Sequence, residues 1–230
     1  EIAERFRDTL QRIDEAGERI AAMEKETAAA LEALQHAAEG LTAQRQAVAT
    51  TFEKEIATRL VELGIPNTRF AVEITPRRQP DSTGADSVAF LFSANKNSAL
   101  QNIAEVASGG EISRIMLSLK SIIATATAMP TLIFDEIDTG VSGTIAARMA
   151  DIMESIASHG RQVISITHLP QIAAKGTAHY KVYKEDTEDA TVSHIRTLTT
   201  DERISELAQM MSAGTLTEAA INNAREMLGI

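Results

Sequence analysis

The chain has 230 residues, of which 44% are hydrophobic and 3% aromatic, with no Cys or Trp and a net charge of −10. The lack of cysteine excludes disulfides and thiolate-bound metal. No signal peptide or apolar run of the ~20 residues that span a bilayer is present, so no membrane partner and a cytosolic setting are expected. Acids outnumber bases in both parts, 13 Asp/Glu against 8 Lys/Arg in residues 1–64 and 19 against 14 in 65–230. Proteins that neutralise DNA phosphates show a basic patch, so any DNA contact must come from a local patch or from a part of the protein outside this chain.

Residues 1–64 contain no proline, and their apolar residues recur at spacings of three, four and seven. Leu34, Leu41 and Val48 keep a heptad, with Ala38 and Phe52 on the companion position. This predicts a coiled-coil arm whose seam needs a partner, either a helix outside this chain or a second copy. About 60 residues of straight helix span roughly 90 Å. Gly17 and Gly40 each weaken the helix by about 1 kcal/mol and are places for a kink or turn. The pattern opens at Glu1 without a cap, so the expectation is a fragment of a longer protein. The plainer alternative is an ordinary helical bundle. Gly64-Ile65-Pro66-Asn67 ends the helix, and residues 65–230 are expected to form a second domain.

Phe70–Ile74 and Ser87–Phe92 read as strands, joined by a long polar loop from Pro76 to Asp86. Residues 93–107 read as a loop. Then come Ser108-Gly109-Gly110-Glu111 and an apolar-periodic helix over 110–127, with Ile112, Ile115, Met116, Leu119, Ile122 and Ile123 on one stripe. Ser108 and Glu111 match a capping box, which is the plain reading. The functional reading is an anion cradle: glycines permit close approach, and a helix start offers free N–H groups and a partial positive charge.

Thr131–Phe134 is a short apolar strand ending in Asp135 and Glu136, and is expected to be a buried parallel strand. A loop over 137–143 leads to a helix over 144–157. A second buried strand, 162–167, ends at His168. Strand, helix, strand with polar residues at the strand ends is the α/β plan, whose ligands bind beyond the carboxyl ends of the strands. Two edge strands, 180–183 and 191–195, flank an acidic tip from Lys184 to Ala190, and helices over 201–212 and 215–228 close the chain.

Two acids at a strand end suit a solvated turn. They also suit Mg²⁺ and water: Asp135 as a hard oxygen ligand, acting through water, and Glu136 as the base toward an attacking water. A lone histidine is more often structural, but His168 leaves the same sheet edge if the strands are neighbours. There a neutral imidazole can bond a γ-phosphate or the attacking water. The other four histidines take the structural reading.

Order and spacing sharpen these signals. Asp135 follows Ser108 by 27 positions, and His168 follows Asp135 by 33. The set resembles the ABC-type ATPases. Ser108-Gly109-Gly110-Glu111 is similar to their signature motif, Leu132–Glu136 to the Walker B strand, Ile137-Asp138-Thr139-Gly140 to the D-loop, and His168 to the switch histidine. A coiled-coil arm running into this lobe resembles the SMC-like branch, and within it the members that repair and recombine DNA at double-strand breaks. The resemblance is strong over about residues 106–175 and looser elsewhere; the signature opens Ala107-Ser108 where Leu-Ser is usual. It implies an α/β fold: the carboxyl-terminal lobe of an ABC/SMC-type P-loop ATPase head, with a long coiled-coil helix at its amino end. It also implies ATP and Mg²⁺ as cofactors, two heads sandwiching two ATP molecules, DNA as a partner, and a cytoplasmic, nucleoid-associated setting. Each site would take Asp135, Glu136 and His168 from one head and Ser108, Gly109, Gly110 and Glu111 from the other, with Asp138 in the D-loop.

A phosphate-cradling loop needs Gly-Lys-Ser/Thr, and none of the 12 glycines precedes a lysine. The resemblance places that loop in an amino-terminal half, an expected partner along with a second copy of the head. The competing readings are a non-enzymatic coiled-coil scaffold with a degenerate ATPase-like head, against which the Asp135–Glu136 pair speaks, and a transporter ATPase subunit, against which the long arm speaks.

Overall fold

A computed structural model describes residues 2–106, 109–127, 129–186, 190–212 and 216–230. They fall into two compact units, Glu1–Phe52 with Ala71–Phe90, and Glu53–Phe70 with Leu91–Ile230.

Helix α1 runs Ile2–Glu62 without interruption through Gly17 and Gly40. Neither glycine produces a break, because its neighbours carry strong helix propensity. The helix stops at Gly64, whose φ of 80° is left-handed. The Gly64 and Ile65 N–H groups donate to the carbonyls of Val61 and Leu60 at 3.1 and 2.9 Å, closing the end as a C-cap does. A Cβ at Gly64 would also lie 2.5 Å from Ile145 Cδ1, so both conformation and packing require glycine.

In the first unit, the expected loop from Pro76 to Asp86 is instead strand. β1 (Arg69–Asp81) and β2 (Gly84–Ser93) form a long hairpin whose Ala71–Phe90 stretch lies in this unit; β3 (Gln101–Asn102), in the second unit, pairs with the Leu91–Phe92 end of β2. β1 lies at the sheet edge, the position in a sheet where prolines such as Pro76 and Pro80 are tolerated. The turn is held by Asp81 Oδ1, which accepts from the Thr83 N–H and hydroxyl at 2.7 and 2.6 Å. The hairpin packs on α1. Buried Asp86 accepts from Thr42 Oγ1 at 2.8 Å and Arg45 Nη1 at 3.0 Å. Arg45 Nη2 donates to the Thr83 carbonyl at 2.7 Å, and the Phe52 and Phe90 rings lie 5.9 Å apart. The covered strip of α1 is therefore Ala38, Leu41, Arg45 and Phe52. The heptad Leu34/Leu41/Val48 is not a buried line: Leu34 and Val48 are 45% and 61% exposed. Nearer the amino end, Phe6, Ile13, Ile20 and Leu31 stand exposed.

The second unit contains α2 (Ile103–Val106), α3 (Gly109–Ala126), β4 (Thr131–Asp135), α4 (Gly143–Ser158), β5 (Gln162–Ile166), α5 (Pro170–Lys175), β6 (Tyr180–Asp186), β7 (Thr191–Thr197), α6 (Thr200–Met211) and α7 (Glu218–Leu228). β4 and β5 are parallel and in register from Thr131↔Gln162 to Asp135↔Ile166, with α4 as their crossover. The core gathers Leu63, Leu117, Leu132, Phe134, Val141, Met149, Met153 and Ile156.

Two expectations about burial are corrected. β4 and β5 are not buried on both faces: Leu132 and Phe134 point into the core, while Ile133, Ile164 and Ile166 on the other face are 55%, 42% and 52% exposed. On α3 the buried line runs through Ile115, Leu117, Leu119 and Ala124, and Ile112, Met116 and Ile123 are exposed. The sequence period located apolar positions; it could not tell which are covered within this chain.

β6 and β7 pair antiparallel from Tyr180↔Thr197 to Asp186↔Thr191. α6 opens with a capping box, Thr199 with Glu202. The Thr199 backbone N–H, the Arg196 guanidinium and the Thr199 hydroxyl hold the Glu202 carboxyl down at about 2. α6 and α7 pack through Leu207, Ala208, Ala220 and Ala224.

Candidate functional site at the carboxyl end of the parallel strands

Parallel pairing brings the ends of β4 and β5 side by side. The ladder runs one step past β4: the Glu136 N–H donates to the Ile166 carbonyl at 3.1 Å. Asp135 and Glu136 are both exposed there. Glu136 has φ 48°, the one left-handed non-glycine among the described residues. Such a conformation costs an L-residue about 1–2 kcal/mol. It is held by the turn that follows, in which the Glu136 carbonyl accepts from the Thr139 N–H and hydroxyl at 3.4 and 3.0 Å.

Asp138 turns inward. It is 1% exposed. Its Oδ2 accepts from the Thr167 hydroxyl and, at 3.2 Å, from the His168 N–H. The His168 ring Nδ1 lies 3.3 Å from the same oxygen. Asp138 Oδ1 is buried with no partner among the described residues. The Thr167 hydroxyl in turn accepts from the Leu169 N–H at 3.0 Å. One carboxylate thus ties the loop after β4 to the loop after β5.

The start of α3 packs on the same loop. A Cβ at Gly110 would meet the Thr139 carbonyl oxygen at 3.1 Å, whereas one at Gly109 would meet nothing within 4 Å. Gly110 therefore lets the helix start approach the loop, and Gly109 faces open space. Arg114 anchors this end by donating from Nε to the Gly110 carbonyl at 2.9 Å and from Nη1 to the Leu63 carbonyl at 3.1 Å. Glu111 is half-buried on the first turn. Ser108, and with it the expected cap, lies outside the described residues. Lys120 Nζ sits 5.1 Å above the Phe134 ring and 3.2 Å from the Ile133 carbonyl.

The structure thus brings together Gly110, the 136–142 loop, Asp138 and His168. No cluster of three or more His, Asp or Glu side chains converges as a ready metal cage among the described residues. Sequence reasoning missed Thr167 and the inward turn of Asp138. The only signal was a Thr-His pair at a strand end, 30 positions after an aspartate.

The chain is 40% identical over 190 residues to the DNA repair protein RecN of Deinococcus radiodurans, covering 83% of this chain and 33% of that protein. It is 34% identical over 234 residues to RecN of Treponema pallidum, covering 99% of this chain and 41% of that protein. Over the span it shares with them, the chain is a RecN homologue. It is also 36% identical to RecN of Haemophilus influenzae over 202 residues, 87% of this chain and 36% of that protein. The chain spans 33–41% of the length of these RecN relatives. No protein-family model matches it.

Solved structures show the fold. A Smc head domain with a coiled coil and joint from Pyrococcus yayanosii aligns with a TM-score of 0.54 at 18% identity, over 70% of this chain and 29% of that one. A Smc head with an extended coiled coil from Pyrococcus furiosus aligns with a TM-score of 0.50 at 18% identity, over 70% of this chain and 38% of that one. The chain has the α/β fold found in these Smc head domains, with a long helix at its amino end.

Proposed function

We propose that this chain supplies the signature-bearing lobe of a RecN-type ATPase head that acts in DNA double-strand-break repair and recombination, with residues 1–64 as its arm and 65–230 as its lobe. The observation that carries the proposal is the contact of Gly110 with Thr139. It gathers the start of α3, the carboxylate loop and His168 at one end of the parallel pair, where α/β proteins bind ligands.

In this reading Glu136 is the base toward the attacking water and His168 a hydrogen-bonding partner of that water or of the γ-phosphate. The Ser108–Glu111 start of α3 cradles the γ-phosphate of the nucleotide held by the facing head, and Asp138 belongs to the D-loop. Asp135, an exposed carboxylate at the strand end, fits Mg²⁺ in the form it usually takes, with water and phosphate completing its ligands. When bound, Mg²⁺ neutralises phosphate charge. The chain's own part is to orient water and accept its proton.

Two further features favour partners. The exposed face of Ile133, Ile164 and Ile166, with Ile112, Met116 and Ile123 on α3, suits an amino-terminal lobe carrying the phosphate loop. The open side of Gly109 suits a second head. DNA enters as the partner through the relatives' named role. No described helix is long and apolar enough to cross a membrane, and the proposed setting is the cytoplasm around the nucleoid.

Calorimetry with Mg²⁺ and ATP tests this. The chain alone is expected to bind weakly, having no glycine followed by lysine, and adding the amino-terminal half of the same RecN should bring tight binding. Tight binding by the chain alone would show the nucleotide site to be misplaced. A completed head that binds no ATP would favour the scaffold reading. A substitution separates fold from function. Gly109→Ala should fold normally and gain up to about 1 kcal/mol, yet depress hydrolysis in the completed head, because a methyl group would fill the space left for the facing phosphate. Parent-level hydrolysis by this variant would remove Gly109 from the site.

A further inference from the structure

We propose that Asp138 is a positioning residue that holds the His168 ring with its proton on Nδ1 and so presents Nε2 as a hydrogen-bond acceptor. The inference rests on the reading of His168 as a site residue and goes further by fixing what the ring can do there.

Three groups converge on one oxygen. Asp138 Oδ2 takes the Thr167 hydroxyl, the His168 N–H at 3.2 Å and the neighbourhood of the His168 ring Nδ1 at 3.3 Å. An ionised carboxylate only accepts. Its oxygen attracts a nitrogen that carries a proton and repels one that presents a lone pair. Neutral imidazole has one of each, so a proton on Nδ1 leaves Nε2 with the lone pair. The ring is 64% exposed while Asp138 is 1% exposed, so the anchored edge is Nδ1 and the other edge is open. The second ring nitrogen of a histidine is set by the bond its first one makes.

Backbone and neighbour both lock the arrangement. The His168 N–H is tied to the same oxygen, which fixes the ring's origin as well as its edge. The Thr167 hydroxyl accepts from the Leu169 N–H at 3.0 Å, which turns its own proton toward Asp138. Among the described residues the buried Oδ1 has no partner, the kind of exception that calls for a functional explanation. In consequence, neutral His168 accepts a hydrogen bond at Nε2 from an O–H, such as that of the attacking water. It cannot donate from Nε2 to a phosphate oxygen.

Long-range ¹H–¹⁵N NMR on the chain labelled at histidine, above the titration range of imidazole, reads the tautomer directly. His168 is assigned by the resonances lost in His168→Gln. The expected pattern is a protonated Nδ1 and a bare Nε2. Asp138→Ala should shift His168 toward the Nε2–H form. Asp138→Asn keeps a carbonyl oxygen for the three donors and should retain the Nδ1–H form, which guards against a variant that fails to fold. In the completed head, Asp138→Ala should lower kcat by about tenfold or more with little change in KM for ATP, and Asp138→Asn should recover most of the loss. An Nε2–H tautomer in the parent chain, or an unchanged tautomer in Asp138→Ala, overturns the proposal. If the Nδ1–H pattern appears but His168→Ala hydrolyses ATP at the parent rate, the positioning stands and the role of His168 in hydrolysis falls.

Discussion

A completed head carrying Glu136→Gln should hydrolyse ATP about 10²–10⁴-fold more slowly than its parent, the usual contribution of a positioned base. Glutamine keeps the length and both polar atoms of the side chain but cannot take a proton. ATP binding should survive, and ATP-bound heads should stay together longer. The backbone offers a second way to ask the same question. Glu136 sits at φ 48°, a conformation glycine adopts freely. Glu136→Gly should therefore abolish hydrolysis while relieving about 1–2 kcal/mol of strain. A residue kept at a stability cost for its side chain should show this opposition. Single-turnover hydrolysis and thermal unfolding of the two variants measure it. Parent-rate turnover in Glu136→Gln would remove Glu136 as the base, and a Glu136→Gly head less stable than the parent would show the turn to be unstrained.

The second large effect is on folding. Phe134→Ala should destabilise the lobe by about 3–5 kcal/mol, the range for emptying a buried aromatic site. Phe134 is 1% exposed within the cluster that holds Leu132, Val141 and Met149. For a domain of this size, that corresponds to a fall in Tm of roughly 6–20 °C. Its neighbour Ile133 is 55% exposed, and Ile133→Ala should stay within about 0.5 kcal/mol, as surface changes do. Because Phe134 immediately precedes Asp135 and Glu136, loosening its packing should also blur the strand end that carries them. Equal costs for the two substitutions would contradict the alternating burial of β4.

Much of this was legible in the sequence, and the reasons differ by element. The long helix was readable because its apolar spacing persists over dozens of residues with no proline. The β4–α4–β5 unit was readable because two short apolar runs, each ending in polar residues, bracket an amphipathic helix. The hairpin was misread between Pro76 and Asp86, since proline normally ends a strand. The edge position of β1, which makes proline harmless, is a property of the assembled sheet. Burial on β4, β5 and α3 was misread for a related reason: an apolar residue records that something covers it, not that the cover lies in the same chain. At the site, Asp135, Glu136 and His168 were singled out by residue type and position. The inward turn of Asp138 was not, because the three residues between an exposed pair of acids and a glycine give no periodicity to read. Its contacts with Thr167 and His168 exist only once β4 and β5 lie in register.

The hairpin docked along α1 sets a limit on the arm. Asp86, Phe90 and the Thr83 carbonyl already occupy the strip through Ala38, Leu41, Arg45 and Phe52. Two bodies cannot fill one groove, so a helix zipping along that same strip of α1 must leave it ahead of Ala38. The stretch of α1 ahead of that strip, Ile2 to Leu34, is about 50 Å long at 1.5 Å per residue. On that strip the hairpin therefore acts as a collar: it limits how far along α1 pairing on the covered face can travel.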